Sequence, residues 1–440
     1  MSTYKFIRKY LPDQRLTILD REDLSNEGYQ VLGDDNNLSV FYGDKYLENL
    51  NFYDLIIKSP GISFKNIDVN NFENKISSQL QLFLSFFKGK TVGVTGSKGK
   101  STTSSLIYKI LEEQNRNTIL LGNIGLPIFD YIDELSNDTN VVLEISSHQL
   151  EYIKKSPNIA IILNIFEEHL DHYNSYEEYA NAKYNIFRFQ KEDDFAIYNM
   201  DNVVIKNLLK NEKIFSNQIG VSFENKGNNN SVFIRDNFII YKENNNEIKW
   251  YNINDNRKLL GKHNLFNIMF CFAVCRVLNL DISKAADTIN GFQGLPHRME
   301  FVGEFNGVKY YNDSIATIPE ATINCVEALV DVNTLIIGGL DRKIDYSKFI
   351  DFLINSSIEN IVCLPDVGIF IADKILNMQK ECFKKIYKVP NMEEAVNISK
   401  KVTRQNKICL LSPAAASYGF FVNFQERGEI FKRLVKNTDC

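Results

Sequence analysis

Apolar residues along this chain gather in short unbroken runs closed by Gly, Pro, Asn or Asp. In the first ninety residues these are "RLTILD" (15–20), read as a buried strand, and "YDLIIKSPGIS" (53–63), broken by Ser59-Pro60-Gly61. "TVGVTG" (91–96) predicts a strand that runs into a glycine loop. "NTILLG" (117–122), "NVVLEIS" (140–146) and "IAIILNI" (159–165) follow, apolar throughout as parallel strands covered on both faces should be. After "GLPHRMEFV" (294–302), strands are predicted at "VKYYND" (308–313), "NTLIIGG" (333–339), "NIVCLPD" (360–366) and "KICLLSP" (407–413). Between Ser101 and Gln114 the period changes, with apolar residues at Leu106, Ile107, Ile110 and Leu111, which predicts a helix. Strand and helix alternate, so the fold class is α/β. The simplest organisation is three consecutive α/β domains, 1–88, 89–295 and 296–440. The Asn-rich stretch 222–251 reads as surface hairpins without an assigned role.

Composition narrows the class. The chain has 440 residues, 44% of them hydrophobic, and a formal net charge of −5, without the basic surplus of a nucleic-acid binder. Its seven cysteines (271, 275, 325, 363, 382, 409, 440) are scattered, with no C-x-x-C, and suit free thiols in a reducing cytoplasm. Cys271 and Cys275 share a helix face and are expected as packed thiols rather than a metal site. The opening "MSTYKFIRKYLPDQ" has no apolar core region of a signal peptide. The longest apolar runs, "IAIILNIF" and "IMFCFAVC", fall short of the ~20 residues of a membrane helix. A cytoplasmic protein without membrane insertion is expected.

The candidate chemistry starts at "VGVTGSKGKSTTSSLIYKIL" (92–111). The common phosphate-loop pattern places Gly five residues before the Gly-Lys pair, and that position, 94, is Val. The glycines are Gly93, Gly96 and Gly99. A strand, a Gly-rich turn and Lys-Ser-Thr opening a helix still aim backbone N–H groups and the helix end at a polyphosphate. Lys100 would reach the β- and γ-phosphates, and Ser101 Oγ could ligate Mg²⁺. Glu144 ends its strand at the carboxyl edge, where open α/β sheets bind ligands, and is a candidate for the same metal. His169, His172, His263 and His297 each sit beside Asn, Asp, Arg or Glu, and His148 lies three residues before Glu151 in "SSHQLE". His169, Asp171 and His172 could form a metal cluster, although such spacings also arise by chance.

The order of "GVTGSKGKSTT", "EISSHQLE", "NIFEEHLDHY", "YANAKYNIF", "GKHNLFNI", "LPHRMEFV", "YYNDSIAT", "IIGGLDRKIDY" and "LLSPAAASYGFFVNFQERGEIF" resembles the Mur ligase family. The likeness runs from about residue 2 to 436. That family writes its loop G-x-T-G-x-x-G-K-[ST], which Gly93 to Ser101 satisfies. The resemblance implies a first domain that binds a uridine-diphosphate sugar, a central P-loop-type parallel-sheet ATPase domain, and a Rossmann-like third domain that binds glutamate. It implies an ATP-dependent ligase that adds glutamate, expected as D-glutamate, to UDP-N-acetylmuramoyl-L-alanine through an acyl phosphate in peptidoglycan precursor synthesis. Such chemistry needs positioning and charge neutralisation more than a protein nucleophile.

Carried over by motif, Gly96, Ser97, Lys98, Gly99, Lys100, Ser101, Thr102 and Thr103 hold the ATP phosphates, with Asn267 at the adenine and Arg298 and Asp313 as further ATP contacts. Two Mg²⁺ ions are implied. Ser101 and Glu144 serve the first, and His169 and a carbamate on Lys183 serve the second. Lys100, Glu144, His169 and Lys183 are thus the expected catalytic set. Asn123 is the expected muramoyl contact, and Thr317, Arg342, Ser417 and Phe424 the glutamate contacts. A monomer is expected.

Three departures from the family pattern stand out. "STYKFIRKYL" resembles the helix after the family's opening strand and Gly-rich turn, so that strand is expected to be missing, leaving a sheet edge unpaired. Ile315 stands where many members carry Lys. Arg342 replaces a common Lys, keeping charge but exchanging a point for a planar fork. Other readings weigh less. A folylpolyglutamate synthase would use similar chemistry, but the "NFQERG" tail argues against it. A P-loop kinase or GTPase lacks the rest of the motif order, and a catalytically silent nucleotide binder is the remaining alternative.

Overall fold

The computed structural model describes residues 2–21, 35–123, 128–169, 172–227, 229–255, 257–259, 261–329, 331–342, 344–378 and 384–437. The chain divides into two compact units, Met1–Gly291 and Phe292–Cys440. Asp171, Cys382 and Cys440 lie outside the described residues, as does part of "GNIGLP".

In the first unit a nine-stranded sheet dominates. Its order is Asn246–Asn252, Phe238–Glu243, Asn230–Arg235, Asn217–Val221, Phe195–Asn199, Ile159–Ile162, Lys90–Thr95, Asn140–Glu144, Thr118–Gly122. The strands from Asn217–Val221 to Thr118–Gly122 are all parallel. Their continuous apolar runs are buried on both faces, with Val92, Val94, Val141, Leu143, Ile161 and Ile162 fully enclosed. The expected helix spans Lys100–Glu113 and buries Leu106, Ile107, Ile110 and Leu111. Against it packs the helix Lys262–Val277, apolar almost all round. Cys271 and Cys275 are buried within it, and burial raises both thiol pKa values. The five described cysteines are all free.

Two expectations change here. The Asn-rich stretch does form hairpins, through antiparallel pairing of Asn230–Arg235, Phe238–Glu243 and Asn246–Asn252. They extend the main sheet rather than lying on the surface, because Val232, Phe233, Ile239 and Ile240 supply a buried face; the asparagines fill the turns. In the first ninety residues, Leu16–Asp20 is half-buried and pairs in parallel with Leu38–Tyr42, a strand not anticipated from sequence. "YDLIIKSPGIS" contributes only Ile56–Ile57, paired with Ile76–Ser77.

The second unit is a six-stranded sheet in the order Glu300–Phe305, Val308–Asn312, Ile408–Leu411, Val332–Gly339, Asn360–Asp366, Lys385–Lys388. Only the first pair is antiparallel. One face buries Phe349, Leu353 and Ile371, the other Phe431, Val435 and Ala395.

Candidate active site

The phosphate loop leaves the carboxyl end of Lys90–Thr95 and is stapled to the next strand's exit. Ser97 N donates to Asn164 O at 2.9 Å and Lys98 N to Asn164 Oδ1 at 2.8 Å, while Asn164 Nδ2 donates to Lys98 O at 3.0 Å. Ser97 Oγ lies 2.8 Å from Tyr179 Oη and accepts from Phe166 N at 2.9 Å. Two close approaches explain the glycines. A Cβ on Gly96 would sit 3.0 Å from Leu163 Cβ, and one on Gly99 would sit 2.6 Å from Asn267 Oδ1. Gly99 also has φ 88 and caps the helix without a side chain, so the first helical N–H groups are left to a ligand. Lys100 Nζ curls back over the loop, donating to Gly96 O at 2.8 Å and Ser97 O at 3.1 Å. Ser101, Thr102 and Thr103 are buried beneath. Asn267, the expected adenine contact, stands directly against this loop.

Register brings the acidic candidate to the same edge, since Glu144 is opposite both Val94 and Gly122. Its side chain is 1% exposed. Asn123 Nδ2 donates to Glu144 Oε1 at 2.9 Å, while Oε2 has no hydrogen-bond partner among the described residues. Thr95 Oγ1 and Thr103 Oγ1 are buried in the same condition. A buried carboxylate oxygen without a donor is unfavourable unless a cation completes it. This oxygen-rich set, Glu144 with the Ser101 and Thr hydroxyls, fits a hard divalent ion.

Lys183, on the helix Tyr176–Arg188, is 2% exposed. Its Nζ donates to Gly96 O at 3.1 Å and lies 4.9 Å from the Tyr179 ring centre. Burial, then the nearby Lys100 charge, bring its pKa down to about 7. An amine that is substantially neutral at pH 7 is nucleophilic, the condition for taking up CO₂ as a carbamate.

His169 is exposed, in a turn at φ 60. Its ring stands 5.9 Å from that of Tyr179, the residue that touches Ser97. The rings of His148 and His169 are 4.8 Å apart, and those of His148 and His172 4.0 Å apart. Burial, followed by the charges of His172 and His169, lowers the His148 pKa to about 3, so it is neutral. Among the described residues no group of three or more His, Cys, Asp or Glu is placed to hold a metal ion. The His169–Asp171–His172 cluster therefore has no support from the described members. His263 lies in the first turn of the helix Lys262–Val277, its ring beside Gly261.

The second unit carries the remaining candidates. His297 at φ 63 and Met299 at φ 44 flank Arg298 in a tight turn. His297 N donates to Glu300 Oε2 at 2.8 Å, and Asn312 Nδ2 lies 3.0 Å from His297 Nδ1. Gly428 admits the imidazole, since a Cβ there would be 2.1 Å from Nδ1. Arg298 Nε is buried without a hydrogen-bond partner among the described residues. Asp313 accepts from Met299 N at 3.1 Å and Ser412 Oγ at 2.8 Å. Burial raises its pKa to about 6. Thr317 and Phe424 are partly buried, Ser417 is buried and Arg342 is exposed. A bridge between Leu340 and Ala416 sets the chain before Arg342 beside the chain before Ser417. Ser314 Oγ donates to Phe424 O at 2.8 Å.

Sequence reasoning missed several supports. Asn164 and Tyr179 hold the loop; each opens a quoted motif, "NIFEEHLDHY" and "YANAKYNIF", but was given no role there. Arg427, inside the quoted "NFQERG", is fully buried. It donates to Ser314 O at 2.7 Å, to Ser314 Oγ at 3.0 Å and to Ala415 O at 3.0 Å.

Both units resemble known proteins. Residues 94–275 match the Mur ligase middle domain, and residues 297–415 match the Mur ligase glutamate ligase domain. The UDP-N-acetylmuramoylalanine–D-glutamate ligase of Acetivibrio thermocellus is 33% identical over 97% of this chain and 92% of its own length. The same-named protein of Clostridium acetobutylicum is 36% identical over 96% and 91%. In fold, a MurF ligase from Thermotoga maritima solved in complex with ADP aligns at a TM-score of 0.55 and 18% identity, covering 82% of this chain and 86% of its own. Loop, sheet edge and relatives converge, and the chain belongs to the Mur ligase family.

Proposed function

We propose that this chain joins D-glutamate to UDP-N-acetylmuramoyl-L-alanine at the expense of ATP. The relatives' shared name supports that substrate pair. The observation that carries the site assignment is Lys183, buried and bonded to Gly96 O of the phosphate loop.

Residues 1–88 take the uridine diphosphate. ATP lies with its phosphates on the loop amides and the N-terminus of Lys100–Glu113, and with adenine beside Asn267. Lys100 Nζ trades its carbonyl partners for phosphate oxygens, an exchange that strengthens as charge builds on the transferring group. The muramoyl carboxylate attacks the γ-phosphorus, the bond to ADP breaks, and an acyl phosphate forms. Glutamate's amine then attacks the acyl carbon, a proton leaves the nitrogen, and phosphate departs from the tetrahedral intermediate. Thr317, Arg342, Ser417 and Phe424 hold the incoming glutamate, with Arg342 suited to a carboxylate. Ser101 and Glu144 would hold one Mg²⁺, and His169 with a Lys183 carbamate another. Bound there, divalent ions neutralise the phosphate oxygens and stabilise the charge of phosphoryl transfer. Carbamate formation joins the Lys183 nitrogen to the carbon of CO₂ and releases one proton. This turns the neutral amine into the anionic oxygen ligand that a hard cation prefers.

The test is direct. The purified chain is given ATP, Mg²⁺, UDP-N-acetylmuramoyl-L-alanine and each glutamate enantiomer. ADP release coupled to a product one glutamyl residue heavier, with D-glutamate only, is expected. Turnover with L-glutamate, or none with either, overturns the assignment.

A further inference from the structure

The turn that bears His169 is braced from outside the phosphate loop. His172 N and Tyr173 N both donate to His169 O, at 3.0 and 3.1 Å, closing the turn around a residue held at φ 60. Behind it, His172 Nε2 donates to Glu151 Oε1 at 3.0 Å, and Lys58 Nζ donates to Glu151 Oε2 at 2.5 Å. Both carboxylate oxygens are thus committed. Lys58 follows the short strand Ile56–Ile57, and its side chain is 3% exposed. Its ammonium stands 5.5 Å from the Phe64 ring centre and 5.8 Å from that of Tyr152. A second strut rises from the same segment, where Ser63 Oγ donates to His172 O at 2.7 Å.

A buried ion pair contributes little net stability, because desolvating two charges offsets their attraction. It does fix geometry, since each charge is held to one partner. Here the fixed object is the His172 imidazole, whose ring contacts His148 and, through it, His169. We propose that Lys58 and Glu151 are positioning residues. Through His172 they set the turn that presents His169, so the segment around residues 58–63 governs the geometry of the metal-binding edge. Partners of metal ligands typically change metal affinity about 10–100-fold when lost. The inference rests on His169 serving a metal, as proposed above, and its test separates the two.

The full-length chain, with a non-hydrolysable ATP analogue bound, is titrated with Mn²⁺ and followed by electron paramagnetic resonance. Amide hydrogen exchange at His172 and Tyr173 is measured in parallel. Lys58→Met should weaken the weaker class of Mn²⁺ about tenfold and speed both amides, with the tighter class unchanged. Because a lone buried Glu151 could impair folding, Lys58→Met/Glu151→Leu is the second variant, which restores an apolar pair. Near-normal thermal stability with weakened Mn²⁺ and fast amides supports positioning. Recovery of stability, Mn²⁺ affinity and slow amides together makes the pair merely structural and overturns the proposal. So does a Lys58→Met chain indistinguishable from the parent. His169→Ala checks the underlying reading. If it leaves Mn²⁺ binding intact, His169 is no ligand, and the amide exchange alone still decides whether the brace holds the turn.

Discussion

Polar groups buried in the two units are treated in opposite ways. Around the phosphate loop they are left incomplete. Glu144 Oε2, Thr95 Oγ1 and Thr103 Oγ1 have no hydrogen-bond partner among the described residues, and the helix Lys100–Glu113 starts at a glycine with no capping side chain. In the second unit the burial is largely completed by protein. Arg427 spends its donors on Ser314 and Ala415, both Asp313 oxygens accept, and the helix Phe424–Lys436 is capped by Asn423. Incomplete groups lower stability unless a ligand completes them, so they mark where ligands bind. Completed groups hold a surface in shape. The two kinds should therefore respond differently to substitution.

Lys183→Ala and Lys100→Ala strike the incomplete side hardest. Lys183→Ala should be nearly inactive, with partial recovery when short carboxylic acids supply the missing oxygens. A density map with ATP and Mg²⁺ bound that shows a plain ammonium at Lys183 would sink the carbamate. Lys100→Ala should lower turnover about 10²–10³-fold, as loss of one transition-state donor does. Its melting temperature should stay within a few degrees, since the bonds from Nζ to Gly96 O and Ser97 O lie within the loop itself. More than about a tenth of normal turnover would remove Lys100 from the phosphate site.

Arg427→Met reverses the signature. Burial pushes this guanidinium down to about 10, still charged at neutral pH, and no carboxylate pairs with it among the described residues. Removing it strands two carbonyls and a hydroxyl, at a cost of about 2–4 kcal/mol. The second unit should melt about 10 °C lower, while Mg·ATP binding by the first unit persists. An unchanged melting profile would break the contrast between the halves.

Legibility followed the same division. Continuous apolar runs marked the central strands of both parallel cores, and helical spacing located Lys100–Glu113, because those signals are local; Phe195–Asn199, Asn217–Val221 and Lys385–Lys388, with polar residues among their apolar ones, went unread. The loop was readable from its glycines and Lys-Ser-Thr, although it departs from the common spacing. The strand Leu38–Tyr42 went unread, since most of its residues are exposed and no unbroken apolar run marks it. The Asn-rich hairpins looked like surface because asparagine dominated their composition, while the short runs Ser231–Phe233 and Ile239–Tyr241 between the turns are buried. Lys58, Glu151, Ser63 and Arg427 were unreadable as supports. Their partners are 93, 21, 109 and 113 positions away, and no period in the chain encodes such pairs.

The effect confined to a pH window lies at Asp313, and it sharpens the comparison by its sign. Burial raises this carboxyl from 3.8 to about 6 against the lowering influence of Ser412, Met299 N and Arg298. The folded chain therefore holds a proton between about pH 4 and 6 that the unfolded chain releases. For a raised group, the stabilisation is fully present below the unfolded value and is lost as pH rises through the folded one. Relative to Asp313→Asn, which does not titrate, the parent should lose on the order of 3 kcal/mol of stability from pH 4 to pH 7. Ligand binding should move the other way. If ionised Asp313 accepts a hydrogen bond from the nucleotide, the KM for ATP should rise about tenfold per pH unit once pH falls below 6. Asp313→Asn should flatten that slope and leave a uniformly raised KM. Chemical denaturation and initial rates, both run across pH 4.5–7.5, measure the two curves. Parallel curves would mean that Asp313 belongs with Arg427 as structure alone.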